Sequence, residues 1–272
     1  MRKITVTLLA SALLTACATS PTGRSQLMLV SEQQAISASR QAYSQTMQKL
    51  SAEGKLVSDP AIINRIHTIT GRLVTQAIEM RPDSEGWEWS VQVIDEPETI
   101  NAWAMAGGKM AIYTGIIDKL ELTDDEIAQI MGHEIAHALA NHTAERMSVA
   151  MASQLGVMAV GIFAERPAVS MTAAAAAAAL AIQLPNSRTS ESEADRIGIE
   201  LAAMAGYHPE AAVTLWQKMA RASGGKGPPQ FLSTHPAPGN REATLKGLVP
   251  EMMVIYQSPR DRSVHPLPRQ GF

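Results

Sequence analysis

Cysteine is almost missing from this chain: Cys17 is the only one in 272 residues. No disulfide can form within it, so stability must come from packing or a bound metal. Aromatic residues are also scarce, at 4%. The 46% apolar share is carried largely by Ala and Met, a composition suited to close-packed helices more than to broad sheets. Charge is low at 18% and has no basic excess, the net being −3, which argues against nucleic acid as a partner. The apolar share excludes global disorder, and the length suits one large domain or two small ones. No repeat of 30 to 45 residues occurs, so no helical-repeat module is expected.

The first residues, MRKITVTLLASALLTACATS, are set apart from the fold. Arg2 and Lys3 form a basic start, Ile4 to Leu14 a short apolar run, and small residues follow, the pattern of an export signal over residues 1–16. The apolar run is short for a membrane span. Leu14-Thr15-Ala16-Cys17 resembles the bacterial lipobox, in which the cysteine is lipidated and becomes the mature N-terminus. With Ala18 next, and no Asp there, the resemblance implies sorting to the outer membrane. Residues 17–30 then read as a lipidated tether.

Helical spacing runs from Ser31 to Leu50 and from Pro60 to Glu79, the second with Asp59 placed to cap and Pro60 at the first helical position. WEWSVQVI, residues 87–94, alternates as a strand. Ile100 to Met105 and Met110 to Thr114 flank Ala106-Gly107-Gly108-Lys109 as a hairpin. Thr123 and Glu126 have capping-box spacing, and the helix they open is expected to reach Met147. Two uncharged runs follow, 147–164 and 168–184, the second with seven consecutive alanines. They read as an Ala-rich helical hairpin, with membrane contact as the alternative. Further helices are expected near 190–206, 209–223 and 242–248. The Pro- and Arg-rich tail, 256–272, reads as disordered.

TDDEIAQIMGHEIAHALANH, residues 123–142, holds three histidines. On a helix His133 and His137, four apart, share a face, and His142 lies roughly half a turn away. His133-Glu134-Ile135-Ala136-His137 is therefore HExxH, two imidazoles for a zinc ion with a glutamate placed to act as base. A third histidine six residues on is ruled out, because Thr143 stands there. SESEAD supplies Glu191 and Asp195 on one face of a later helix, so that Glu191 could reach a metal and Asp195 could orient a ligating imidazole. Spacing alone equally allows these acids to be partners of the helix dipole. His235, before Pro236, reads by spacing as a turn residue.

HEIAHALANH, SESEADRIG and STHPAPGNR, in that order, resemble the HtpX/LoiP/BepA family of zinc metallopeptidases, peptidase family forty-eight. Asn101 to Gly108 resembles the family's strand and turn before the metal helix, with Ala106 where proline is usual. The resemblance covers residues 20–250. It implies a mainly helical α+β gluzincin domain over 31–255, with a small sheet beside the HExxH helix. It also implies one zinc per chain on His133, His137 and Glu191, Glu134 as the catalytic base, and Asp195 behind the ligands. His235 is implied as either an oxyanion donor or a fourth ligand, and Arg241 as a residue that orients the His235 loop or binds substrate. A strand near Asn101 is expected to pair with extended substrate.

Three functions remain in view. The first is a lipid-anchored periplasmic endopeptidase at the outer membrane, acting on misfolded or unassembled envelope polypeptides. The second is a normally silent protease serving as a chaperone for outer-membrane proteins. The third is an integral membrane protease spanning through 147–184.

Overall fold

Asp59 accepts a hydrogen bond from the Ala61 N–H and Pro60 fixes the first helical φ, so a helix begins where the sequence says it should. The computed structural model describes residues 17–163, 187–222, 230–236 and 239–269. The export signal at 1–16, the second arm of the Ala-rich hairpin at 168–184 and most of the GGKGPPQ loop lie outside the described residues. The chain divides into two compact units, one of Met1–Ala35 with Asn141–Leu184 and the other of Ile36–Ala140 with Pro185–Phe272.

In the first unit, residues 17–30 differ from the expected tether. Strands β1 (Cys17–Thr19) and β2 (Ser25–Leu27) pair antiparallel. Gly23, at φ 87°, closes the turn between them through its N–H to the Ser20 carbonyl. The Arg24 guanidinium makes two 2.6 Å bonds to Glu145, and Gln26 donates to the same carboxylate at 2.9 Å. The turn closes a hairpin whose arginine has a half-buried acid to neutralise.

The second unit holds α1 (Glu32–Ala52) from Ile36 onward, α2 (Pro60–Met80) and a three-stranded sheet. Strand β3 (Ser90–Ile94) runs parallel to the central β5 (Lys109–Tyr113), and β4 (Ala102–Met105) pairs antiparallel on the other side, leaving β4 at the edge. Gly107 and Gly108, at φ 78° and 75°, make the β4–β5 turn. Tyr43 and Met47 of α1 pack on one face with Ile94, Ala111, Trp103 and Met105. The other face, with Met110 and Ile112, joins the main core with Ile66 and Leu73 of α2.

After α3 (Thr114–Lys119) comes α4 (Asp124–Leu139), whose Ile127, Ile130 and Ile135 enter the same core. The capping box is present: the Glu126 N–H bonds the Thr123 hydroxyl, and the Glu126 carboxylate accepts the Thr123 N–H. The helix stops at Leu139, short of the expected Met147, because Asn141 turns into the left-handed region at φ 56°. His142 therefore opens a new helix, α5 (His142–Phe163), and does not sit on the far face of α4. Next come α6 (Arg188–Met204), α7 (Ala211–Ala222), the short α8 (Gln230–Thr234) and α9 (Arg241–Gln257). The last outruns the expected 242–248 despite Pro250, since Met252 beyond the proline is buried among Ile199, Val213 and Leu245.

The tail is not disordered up to residue 269. It lies as an extended strap on α2: the His265 N–H donates to Gly71 O at 3.1 Å, Thr75 to Ser263 O at 2.9 Å and Gln76 to Asp261 O at 2.6 Å. Gly71 makes this possible, for a Cβ there would stand 2.6 Å from the His265 carbonyl. Among the described residues no helix is long and apolar enough to cross a membrane.

Candidate metal centre

Helix α4 places His133 and His137 one turn apart on a buried face, with their Nε2 atoms 3.0 Å from each other. Helix α6 is capped by Ser187, whose hydroxyl accepts the Ser190 N–H, and this fixes the turn that carries Glu191. Glu191 is fully buried. Its Oε2 lies 3.3 Å from His133 Nε2 and its Oε1 3.4 Å from His137 Nε2. Two glycines bring these helices into backbone contact: a Cβ on Gly132 would stand 2.7 Å from the Gly198 carbonyl oxygen, and one on Gly198 would stand 2.7 Å from the His133 nitrogen.

His235 follows α8 and enters from a third direction. Its Nδ1 is 3.1 Å from Glu191 Oε1 and 3.3 Å from His133 Nε2, and its ring stacks on Phe231 with centroids 4.5 Å apart. The Phe231 N–H in turn bonds the Ile100 carbonyl, just before β4. Ligand atoms of His133, His137, Glu191 and His235 all lie within 4.8 Å of one another.

Asp195, one turn beyond Glu191, stands 3.1 Å from His133 Nδ1. A carboxylate there holds a proton on Nδ1, so that Nε2, facing the cluster, is the nitrogen a metal would take in exchange for any proton it carries. Arg241, at the start of α9, bonds Asp195 at 2.5 Å and Glu191 at 3.3 Å, and its guanidinium lies 3.7 Å over the Trp216 ring. With Glu134 added, three acids share this interior, and unpaired they would repel and resist ionisation. Arg241 is the permanent cation that neutralises two of them.

The electrostatics reflect that balance. Burial works to lower His133, but its bonds to Asp195 and Glu191 outweigh burial and hold it up at about 9. Burial works to raise Glu191, yet the three imidazoles hold it far below the carboxylate range. Glu134 is raised, chiefly by burial and against the pull of His235 and His133. Its Oε2 accepts the Ala104 N–H at 3.0 Å, and its Oε1 has no hydrogen-bond partner among the described residues, with His235 Nε2 3.4 Å away.

These residues can converge on one tetrahedral ion. Bonds near 2 Å put neighbouring ligand atoms about 3.3 Å apart; five of the contacts among the four groups, with Glu191 offering one oxygen or the other, are 3.0 to 3.4 Å. A His-rich set with one carboxylate suits zinc. The profile described as peptidase family M48 matches residues 60–249.

The chain belongs to peptidase family M48.

Within that family the chain is 32% identical to the mitochondrial metalloendopeptidase OMA1 of Bos taurus over 251 residues, 87% of this chain and 46% of that protein. With the mitochondrial metalloendopeptidase OMA1 of Saccharomyces cerevisiae it shares 33% identity over 180 residues, 64% and 50% of the two chains. The beta-barrel assembly-enhancing protease of Escherichia coli is 25% identical over 224 residues, 79% and 45%. The chain thus spans about half the length of the relatives it matches.

The M48 region gathers His133, His137, Glu134, Glu191, Asp195 and His235 into one cluster. Arg241, expected to orient the His235 loop or bind substrate, and Asn101, expected to mark a substrate-pairing strand, have these contacts in the structure. Arg241 is buried behind the ligands, because two buried carboxylates require a cation there. Asn101, at the head of β4, gives its side-chain oxygen to the Ala102 N–H at 3.0 Å. Sequence reasoning missed Trp216 and Phe231, which brace Arg241 and His235, and the Gly132–Gly198 contact. The glycines alone carried a signal: each interrupts an otherwise helix-favouring run, as a close backbone approach would require.

Proposed function

We propose that this chain is a zinc-dependent endopeptidase, with one zinc held by His133, His137 and Glu191. The observation that carries the reading is the convergence of those buried ligand atoms beside the Glu134 carboxylate, at the edge of β4. Zinc supplies Lewis acidity to the scissile carbonyl and to the attacking water. Glu134 Oε1, buried and without a hydrogen-bond partner among the described residues, takes the proton of that water and delivers it to the leaving amine. Asp195 keeps His133 in the ligating tautomer, while Arg241 keeps Asp195 and Glu191 in place. With its N–H held by Glu134, Ala104 has its carbonyl, on the same outer side of β4, placed to accept a bond from an extended substrate backbone.

The substrates are misfolded or unassembled envelope polypeptides, and the site of action is the periplasmic face of the outer membrane. The lipobox-like LTAC and the likeness to beta-barrel assembly-enhancing proteases support this placing. Cys17 is the lipid attachment point. The likeness to mitochondrial OMA1 proteins is compatible with the same chemistry in another compartment.

A second reading, a protease normally silent that acts as an assembly factor, is favoured by His235. Its Nδ1 stands at ligand distance from His133 and Glu191, in the fourth corner that a substrate carbonyl or water needs.

The test is zinc content together with casein cleavage for wild type, Glu134→Gln and His235→Ala. Zinc retained with cleavage lost in Glu134→Gln supports the endopeptidase. A gain of activity in His235→Ala supports the silent form, and a loss assigns His235 to the oxyanion. Wild type that binds no zinc refutes both.

A further inference from the structure

The period of two in β4 divides its side chains between two different surroundings. Ala102 and Ala104 face the main core on the α4 side, where the Ala104 N–H meets Glu134. Trp103 and Met105 face the α1 side and are only partly buried there, around Tyr43 and Met47. Trp103 is braced, since the Tyr43 ring meets it edge-on at 5.9 Å and is itself fixed by a hydroxyl bond to the Met110 carbonyl at 3.1 Å. The opposite side of the sheet edge thus offers a rigid indole and a pliant thioether, two positions apart on a strand that pairs with no further strand on its outer side among the described residues.

We infer that Trp103 and Met105 are specificity-determining residues, which select extended substrate with large apolar side chains at alternate positions. The inference rests on the endopeptidase reading above. A substrate strand added to β4 shares its alternation. The substrate residue whose N–H bonds the Ala104 carbonyl lies beside Glu134, hence at the reacting bond, and its side chain turns to the α4 face. The residues on either side of it lie opposite Trp103 and Met105, at cross-strand Cβ separations of about 5 Å. Large apolar groups at those two places bury the exposed parts of the indole and thioether, and charged groups there lose hydration without a partner. The substrate class is therefore a segment with apolar residues at i and i+2, the pattern of an amphipathic β-strand caught before it pairs.

The test is the cleavage-site profile of the zinc-loaded protein on a mixed library of unstructured peptides, read by mass spectrometry. The expected profile shows large apolar residues enriched roughly tenfold at two positions separated by one, with the position between them tolerant. Trp103→Ala should flatten one of the two preferences and Met105→Ala the other, each variant keeping the preference it has not lost. Because Met105→Ala is the milder truncation, it decides the matter if Trp103→Ala fails to fold. Zinc-dependent cleavage with no alternating preference, or with both preferences intact in Met105→Ala, overturns the inference and leaves the endopeptidase standing. Absence of any cleavage that Glu134→Gln abolishes overturns the endopeptidase itself.

Discussion

Replacing Gly198 with alanine should open the metal cluster from behind. The added Cβ would stand 2.7 Å from the His133 nitrogen, 2.8 Å from His133 Cα and 3.0 Å from the Gly132 carbonyl carbon, whereas ordinary contact begins at 3.4 Å. All three are backbone atoms and cannot swing aside. Relief needs a separation of α6 from α4 by 3.4 − 2.7, or about 0.7 Å. Metal sites hold their distances to within about 0.2 Å, so Glu191, carried by α6, would withdraw from the two imidazoles on α4. The expected result is a loss of about 1–3 kcal/mol in metal-free stability and a zinc affinity lower by roughly 10- to 100-fold. Competition against a chromophoric chelator measures the second, and thermal melts with and without zinc measure the first. Gly247→Ala on α9, where a Cβ meets nothing within 4 Å, is the control: it should leave zinc affinity unchanged and raise stability by about 0.5–1 kcal/mol. If Gly198→Ala binds zinc within twofold of wild type, the glycine contact does not set the ligand geometry and the reasoning fails.

Two further perturbations test the scaffold. Burial works to raise Glu126, but bonds from Lys218, the Thr123 N–H and Thr214 prevail and leave it below its ordinary value. A depressed carboxylate stabilises the fold above its unfolded pKa and loses that contribution as pH falls through the folded one. Glu126→Gln should therefore cost about 1–2 kcal/mol at pH 7, with the gap from wild type closing below about pH 4, as urea titrations across pH would show; a gap independent of pH would contradict the account. Ending the chain at Gln257 removes the strap and uncovers the core beside Leu267. It should lower the melting temperature by several degrees and speed proteolysis within α2, whereas an unchanged melt would mean that the strap contributes nothing.

The metal helix could be read from its own residues, because capping box, HExxH spacing and amphipathic period all act within one segment. Glu191 could not, since an acid near a helix start is satisfied equally by the dipole and by a metal. Only its distance from His133 in the folded chain separates the two. The early end of α4 was written in Asn141, but the strong helix formers after it masked a single left-handed residue. The strap was misread for a similar reason: its prolines and arginines look like solvated tail, and the notch that receives it is Gly71, some 190 residues earlier. Arg241 sits in a sequence that could equally face solvent. Its burial follows from needing to stand beside two carboxylates on another helix.

The distances along the chain between the ligands bear on timing. His133 and His235 meet across 102 residues, and Glu191 reaches His235 across 44. No segment of the unfolded polypeptide holds more than the His133–His137 pair, so a nascent or threaded chain has little hold on an ion. Strong metal binding waits until α4, α6 and the His235 loop have docked, and the ion then adds its binding energy to the assembled state alone. The proposed peptidase activity would accordingly arrive last, after the chain has ceased to be an extended polypeptide itself.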